Sequence, residues 1–426
     1  MKQIVNSQFQ ETRYEETLDN GLHVILWQKP DYQKSLFMMA TPLSALDMKQ
    51  RGKDGEEYNF PAGIAHFLEH KMFEMKDGDV MEEFSKVGAN VNAFTSYTET
   101  CYYFGTSEDI EKPLHLLLDF VQSLEITEES VEKEKGIIIQ ELHMYKEMSD
   151  SRLLMELYAS IFLNHPLKYD IGGSDESVTN TTLDDLYSCY NINYHPSTMV
   201  LVGVTSSDPT KVMQMIKENQ AKKAFKPACP VKREEYHEPK EVARKYYEFH
   251  MDVSVPKVAI ALKLEGIPDI HMRIQKEWAI RLLLDATFTN LNPLFQQWLN
   301  DGIFNDYVGS DIEFGEDFGI LMFYAETEKE EEFTKIVYDS IEKIQRGELS
   351  QEVLEQLKKR YFGQTLRYLN GFEDIAISSV RSYFEHSDFF DGINILRALT
   401  LEDVKEAAQW LVGSDSCKVV LLPENK

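Results

Sequence analysis

Residues 79–94, DVMEEFSKVGANVNAF, and residues 292–307, NPLFQQWLNDGIFNDY, share one form: a helical run, a glycine stop, then a strand-like run. At one common offset Phe84 falls against Trp298 and Gly88 against Gly302. Glycine just past a helical run suits the left-handed residue that ends many helices. Outward from these two stretches, helical and strand-like segments follow in a similar order. The chain therefore reads as an internal repeat of two α+β halves of about 210 residues each. Between them, KKAFKPACPVKREEYHEPKEVARK (222–245) has three prolines, a local excess of lysine and arginine, and no sustained apolar period. That texture reads as a linker. The expected division is a first domain over 1–221, a linker over 222–245 and a homologous second domain over 246–426.

The same offset sets Ile280, Leu283 and Leu284 where the first half has His66, Glu69 and His70. Only the first copy keeps polar chemistry there. His66-Phe67-Leu68-Glu69-His70 is an HxxEH run, and a chance HxxEH is expected only about 0.03 times in a chain of this composition. On a helix, residues four apart stack on one face, so both imidazoles can meet one metal ion. Glu69 lies beside that pair. Ile64, Ala65, Phe67, Leu68, Met72 and Phe73 surround the triad, and charge in apolar surroundings needs a partner or a metal.

A further carboxylate lies on a second long helical run, EKGIIIQELHMY, where Ile137, Ile138 and Tyr145 share a broad face with Glu141. A catalytic zinc site typically takes three protein ligands and leaves a position for water. His66, His70 and Glu141 fill those places, and Glu69 is left free as a general base for water attacking a carbonyl. Glu134, two turns before Glu141, reads either as an acceptor orienting a ligating imidazole or as a plain surface glutamate. His143 reads as a surface histidine and Gly172-Gly173 as an ordinary turn.

Composition narrows the partners. The 426 residues carry 44 basic and 72 acidic side chains, a formal charge of −28. A phosphate-backbone binder wants a positive surface, so nucleic acid is excluded and an anionic membrane is a poor partner. Basic or neutral peptides, metal cations and a complementary subunit remain open. The four cysteines, Cys101, Cys189, Cys229 and Cys417, form no CxxC pair and suit a reducing compartment. Charged residues precede any apolar run at the N-terminus, and the apolar runs are too short to span a bilayer. The expected location is the cytoplasm.

HFLEH followed by EKEKGIIIQE resembles the insulinase-like (pitrilysin) family of zinc metallopeptidases, the inverzincins. The likeness extends to GIAHFLEHKMF, GANVNAFTSYTETCYYF and LDDLYSCYNINYHPSTM, and more faintly through the second half. In that family the third ligand lies seventy-odd residues past the motif, with a helper glutamate seven before it; Glu141 and Glu134 occupy those positions. The nearest likeness is to the motif-bearing member of a bacterial pair of small proteins, the other of which lacks the metal motif. The resemblance implies a clamshell of two halves around a chamber, zinc, and an unfolded peptide adding as a strand to a sheet edge. By match to the family, Asn92 and Ala93 lie on that edge strand; by themselves they are simply strand residues.

One departure stands out. Family proteases commonly carry an arginine seven residues before a tyrosine that assists the substrate carbonyl. Here Tyr307 is present, but Asn300 stands seven before it. Tyr307 reads either as a donor to a developing oxyanion or as an exposed tyrosine. The expectation is a zinc-dependent endopeptidase or peptide-processing enzyme, a homo-oligomer or a heterodimer with a similar non-catalytic chain. The missing arginine keeps a second reading open: a metal-bearing scaffold or assembly factor without strong hydrolytic power.

Overall fold

Ser35–Thr41 and Val200–Thr205 are apolar on both alternations, SLFMMAT and VLVGVT, and every residue in them is buried. Strands of that kind belong in the middle of a sheet covered on both faces. The computed structural model describes residues 1–75 and 78–424 and sets these two strands side by side, antiparallel, at the centre of a seven-stranded sheet. The order is Lys2–Asn6, Glu11–Thr17, His23–Gln28, Val200–Thr205, Ser35–Thr41, Thr100–Thr106, Ala89–Thr95. His23–Gln28 and Val200–Thr205 run parallel; the other neighbours are antiparallel. The Asn20-Gly21 turn joins Glu11–Thr17 to His23–Gln28, and Gly21 takes φ 93° there.

This sheet anchors the first of two compact units, made of Met1–Leu142, Asp170–Glu234 and Leu366–His386. Val24, Leu26, Phe37, Met39, Tyr102, Phe104 and Leu201 join one core with the helices Ile64–Met72, Glu111–Val121 and Pro209–Gln220. Alternate residues point the other way. Trp27 is one of them, and its indole Nε1 donates to Ser379 Oγ at 2.9 Å on the helix Phe372–Phe384. That helix packs on Ser35–Thr41 and Val200–Thr205. Lys29 Nζ, buried, donates to Leu369 O at 2.8 Å and pairs with Glu11 at 2.5 Å.

The second unit comprises His143–Tyr169, Glu235–Thr365 and the chain from Ser387. Its sheet has the order Tyr246–Met251, Ser416–Pro423, Lys257–Leu264, Gly319–Glu326, Val308–Phe314. The first two strands are parallel and the rest antiparallel. Strand for strand, this repeats the five strands of the first sheet from His23–Gln28 to Ala89–Thr95. The glycines that ended both quoted helical runs also agree: Gly88 has φ 71° and Gly302 φ 62°. After Gly88 the strand starts at once, whereas Ile303–Tyr307 intervene after Gly302. Ile280, Leu283 and Leu284, set by the offset against the motif, are buried in the helix Ile270–Thr287.

The compact units do not follow the division of the repeat. Helix Ser149–Ile161, from the first sequence half, belongs to the second unit and packs on Lys257–Leu264 and Ser416–Pro423. Phe372–Phe384 makes the reverse exchange. The stretch 222–245 is also partly structured. Val231–Arg233 pairs with Lys49–Gly52, and Arg233 reaches Asp47 Oδ1 at 3.0 Å. Glu238 is nearly buried in the second unit, accepting from the amides of Leu163, Asn164 and His165 at 2.7 Å each and pairing with Lys263 at 2.5 Å. Among the described residues no helix is long and apolar enough to cross a membrane.

Candidate metal centre

The helix Ile64–Met72 starts at Gly63, whose φ of 87° lies in the left-handed region. Close approach requires glycine there as well, because a Cβ on Gly63 would sit 2.2 Å from Gly172 O. Gly173, with φ 86°, has the reciprocal constraint: its Cβ would stand 2.3 Å from Ala62 O. The Gly172-Gly173 turn is thus packed against the start of the helix, and a Cβ on Gly172 would lie 3.3 Å from His66 Nδ1. Ile64, Ala65, Phe67, Leu68, Lys71 and Met72 face the core. His66, Glu69 and His70 are the half-buried remainder. The i, i+3, i+4 spacing sorts them onto one strip of the surface.

Helix Glu128–Glu147 brings the next carboxylates. Its buried residues are Val131, Ile138 and Leu142, whereas Ile137 and Tyr145 are exposed. The apolar stripe expected around Glu141 is therefore narrower than the pattern suggested. Glu141 stands at its margin, where a carboxylate can stay partly hydrated.

The side chains converge. Glu141 Oε2 lies 3.3 Å from His70 Nε2 and 3.7 Å from His66 Nε2. One donor atom from each of His66, His70 and Glu141 falls within 4.8 Å of the others, the only such metal-competent group among the described residues. The two imidazoles meet edge to face at 4.6 Å. Beyond His70, Nδ1 is 3.1 Å from Glu134 Oε1, and Lys71 Nζ is 3.7 Å from Glu134 Oε2. Lys71, buried, also pairs with Glu74 and donates to Ser130 O at 3.2 Å.

The electrostatics of these groups are unequal. Burial, reinforced by the neighbouring His70, pulls His66 down to about 4. Burial would lower His70 too, but its hydrogen bonds to the Glu134 and Glu141 carboxylates outweigh it and push His70 up to about 9. His70 holds Glu141 and Glu134 below the usual carboxylate range. His66 Nδ1 is buried without a hydrogen-bond partner among the described residues. Two imidazoles and a carboxylate this close, one ring oriented through its far nitrogen by a glutamate, fit a divalent metal of the zinc type.

Glu69 lies outside that ligand set. Burial pushes its carboxyl above the usual range, against the pull of a hydrogen bond to Oε2 from Thr95 Oγ1 at 2.8 Å. Thr95 ends the strand Ala89–Thr95, the outermost of its sheet, which also carries Asn92 and Ala93. Asn92 Oδ1 accepts from Ala93 N at 2.9 Å, and its amide reaches Tyr103 OH at 3.4 Å.

Tyr307 belongs to the second unit. Its hydroxyl donates to Asp150 Oδ1 at 2.9 Å, and Lys257 Nζ stands 4.4 Å from its ring centroid. Burial and the Asp150 carboxylate push the phenol up. Thr95, Lys71 and Gly172 were not picked out as parts of a site. Lys71 had a usable signal, a charge on the apolar side of the motif helix. Thr95 had none, since contact across twenty-six positions leaves no spacing rule.

The sequence profile described as Insulinase (Peptidase family M16) matches residues 55–175, and that of the Peptidase M16 inactive domain matches 180–361. The chain is 36% identical to YmfH of Bacillus subtilis, named an uncharacterized zinc protease, covering 99% of each. It is 26% identical to the mitochondrial-processing peptidase subunit beta of Saccharomyces cerevisiae, over 72% of this chain and 70% of that one. The crystal structure of an M16-like peptidase from Alicyclobacillus acidocaldarius superposes with a TM-score of 0.92 at 33% identity, covering 97% of this chain and 99% of that one.

Proposed function

Given that this chain belongs to the insulinase family of peptidases, M16, we propose that it is a zinc-dependent endopeptidase or peptide-processing hydrolase acting on short or unfolded peptides. The single observation that carries the reading is the convergence of His66 Nε2, His70 Nε2 and Glu141 Oε2, with Glu69 beside them and outside the set. His66, His70 and Glu141 hold the zinc. The bound ion supplies Lewis-acid polarisation and makes water acidic near neutral pH. Glu69 takes the proton of the attacking water and passes it to the leaving nitrogen, and its half-buried setting suits a group that must both take and give. Glu134 fixes the orientation of His70. The edge strand with Asn92 and Ala93 pairs with the substrate backbone, and Tyr307 donates to the developing oxyanion.

The names of the relatives support the class: zinc protease for the Bacillus protein, a processing-peptidase subunit for the yeast one. The yeast protein is named as a beta subunit, which supports a similar, non-catalytic partner chain here, or a homo-oligomer. We place the protein in the cytoplasm, and take 1–221 and 246–426, joined by 222–245, as the two copies of the repeat.

The test is Glu69→Gln. Zinc content stays at the wild-type value, because Glu69 is not a ligand, while peptide hydrolysis falls at least roughly a hundredfold. Wild-type protein, alone and with its partner, that cleaves no faster than the variant would leave the scaffold reading. That reading draws on Asn300, which stands where the family has arginine. Separately, Glu141→Ala loses zinc; undiminished metal removes Glu141 from the ligands.

A further inference from the structure

The Glu69 carboxylate is held by Thr95, whose hydroxyl donates to Oε2 at 2.8 Å. Thr95 is followed at once by a tight turn. Ser96 N donates to Glu99 O at 2.8 Å, Ser96 Oγ accepts from the amides of Thr98 and Glu99 at 3.1 and 3.0 Å, and Ala45 N donates to Ser96 O at 3.0 Å. The turn ends on a nearly inaccessible carboxylate, Glu99, which is 1% exposed. Its Oε2 accepts from Thr98 Oγ1, and its Oε1 receives Arg381 Nε at 3.1 Å and Nη2 at 3.0 Å. Arg381 stands on Phe372–Phe384, the helix lent to this unit from the second half of the sequence.

We infer that Arg381 is a positioning residue for Glu69, acting through Glu99 and Thr95. This rests on reading Glu69 as the general base. A buried carboxylate keeps its charge only while its counter-charge is present. Arg381 leaves half its own side chain exposed, so its removal costs little packing. What it takes away is the counter-charge of Glu99, and the turn must then open to hydrate that group. Thr95 is the residue before Ser96 and moves with the turn. Glu69 then loses the contact that fixes its Oε2 and swings away from the water it must deprotonate. Small misplacements of a reacting group carry large kinetic costs. The second half of the chain thereby sets the geometry of a site whose ligands all come from the first.

The test uses the zinc-loaded full chain. Arg381→Met keeps wild-type zinc content and circular dichroism, lowers kcat about tenfold and leaves KM within about twofold. Arg381→Lys recovers part of the loss. Thr95→Val lowers kcat by a similar factor, and the double variant falls no further, as expected of two residues on one path. Losses that multiply, or an unchanged kcat in Arg381→Met, overturn the inference. Hydrogen exchange is read on the same proteins without turnover: the Ser96 and Glu99 amides exchange faster in Arg381→Met. Unchanged protection overturns the inference whether or not the wild type cleaves peptides. Equal hydrolysis by wild type and Glu69→Gln instead rejects the base assignment, with the exchange result still deciding whether Arg381 holds the turn.

Discussion

Glu134 and Glu238 are both partly sheltered glutamates in charged runs, yet they do different work. Glu134 acts on His70. Replacing it by glutamine keeps the shape but weakens the acceptor for His70 Nδ1, and zinc affinity falls about 10- to 100-fold; competition with a chelator measures it. Glu238 acts on the backbone, tying the amides of 163–165 to Lys263. Burial alone would raise its pKa, but Lys263 and the three amides hold it below the usual range. An acid depressed on folding contributes stability that is present above its unfolded value and is lost as pH falls through the folded one. Glu238→Ala therefore destabilises the second unit by about 3–5 kcal/mol at neutral pH, since it strands Lys263. Urea unfolding shows the gap between variant and wild type narrowing on acidification. A gap constant down to pH 3 would contradict the sign.

At the scale of elements, legibility follows sequence distance. The motif was readable because its ligands share one helix, where spacing alone decides which side chains meet. Glu141 was readable from another helix through its own apolar neighbours, although Ile137 and Tyr145 turned out exposed and only Ile138 of that group is buried. The turn at Gly172-Gly173 was visible as a turn but not as the surface against which the motif helix starts. Its importance lies in two carbonyls, Ala62 O and Gly172 O, that leave no room for a methyl group. Gly173→Ala adds left-handed strain of roughly 1–3 kcal/mol, and the clash with Ala62 adds to it. The expected result is a lower Tm and faster zinc loss, because Gly172 borders His66. Gly55→Ala, also at positive φ but with open space around it, shows the strain without the loss of metal. Equal effects on zinc retention would separate the turn from the site.

At the scale of the molecule, the repeat was legible and the exchange of helices was not. A common offset reports that two segments have the same form; it says nothing about which sheet a helix covers. Trp27 and Ser379 touch across the length of the chain, and no periodicity records such a pair. Residues 1–221 alone lack the helix that covers the strands Ser35–Thr41 and Val200–Thr205. Produced alone, 1–221 is expected to aggregate or to bind little zinc, since a large apolar sheet face is uncovered. Co-production with 222–426 restores soluble, zinc-loaded protein. A stable, metal-loaded 1–221 fragment would show that the borrowed helix is dispensable.

The borrowed helix also fixes a time. The last strand of the first sheet is complete at Thr205, but Phe372–Phe384 has still to be synthesised. At about 5–20 residues per second, that interval is roughly ten to forty seconds. Through it, the nascent chain offers the ribosome's surroundings a bare apolar face, while the histidines of the metal centre lie on the other side of the same sheet. Chaperones that shield emerging apolar surface have a defined window in which to act. The three donors of the metal centre are already made by residue 141, so the part of the fold that waits on the clock of translation is the cover of that opposite face.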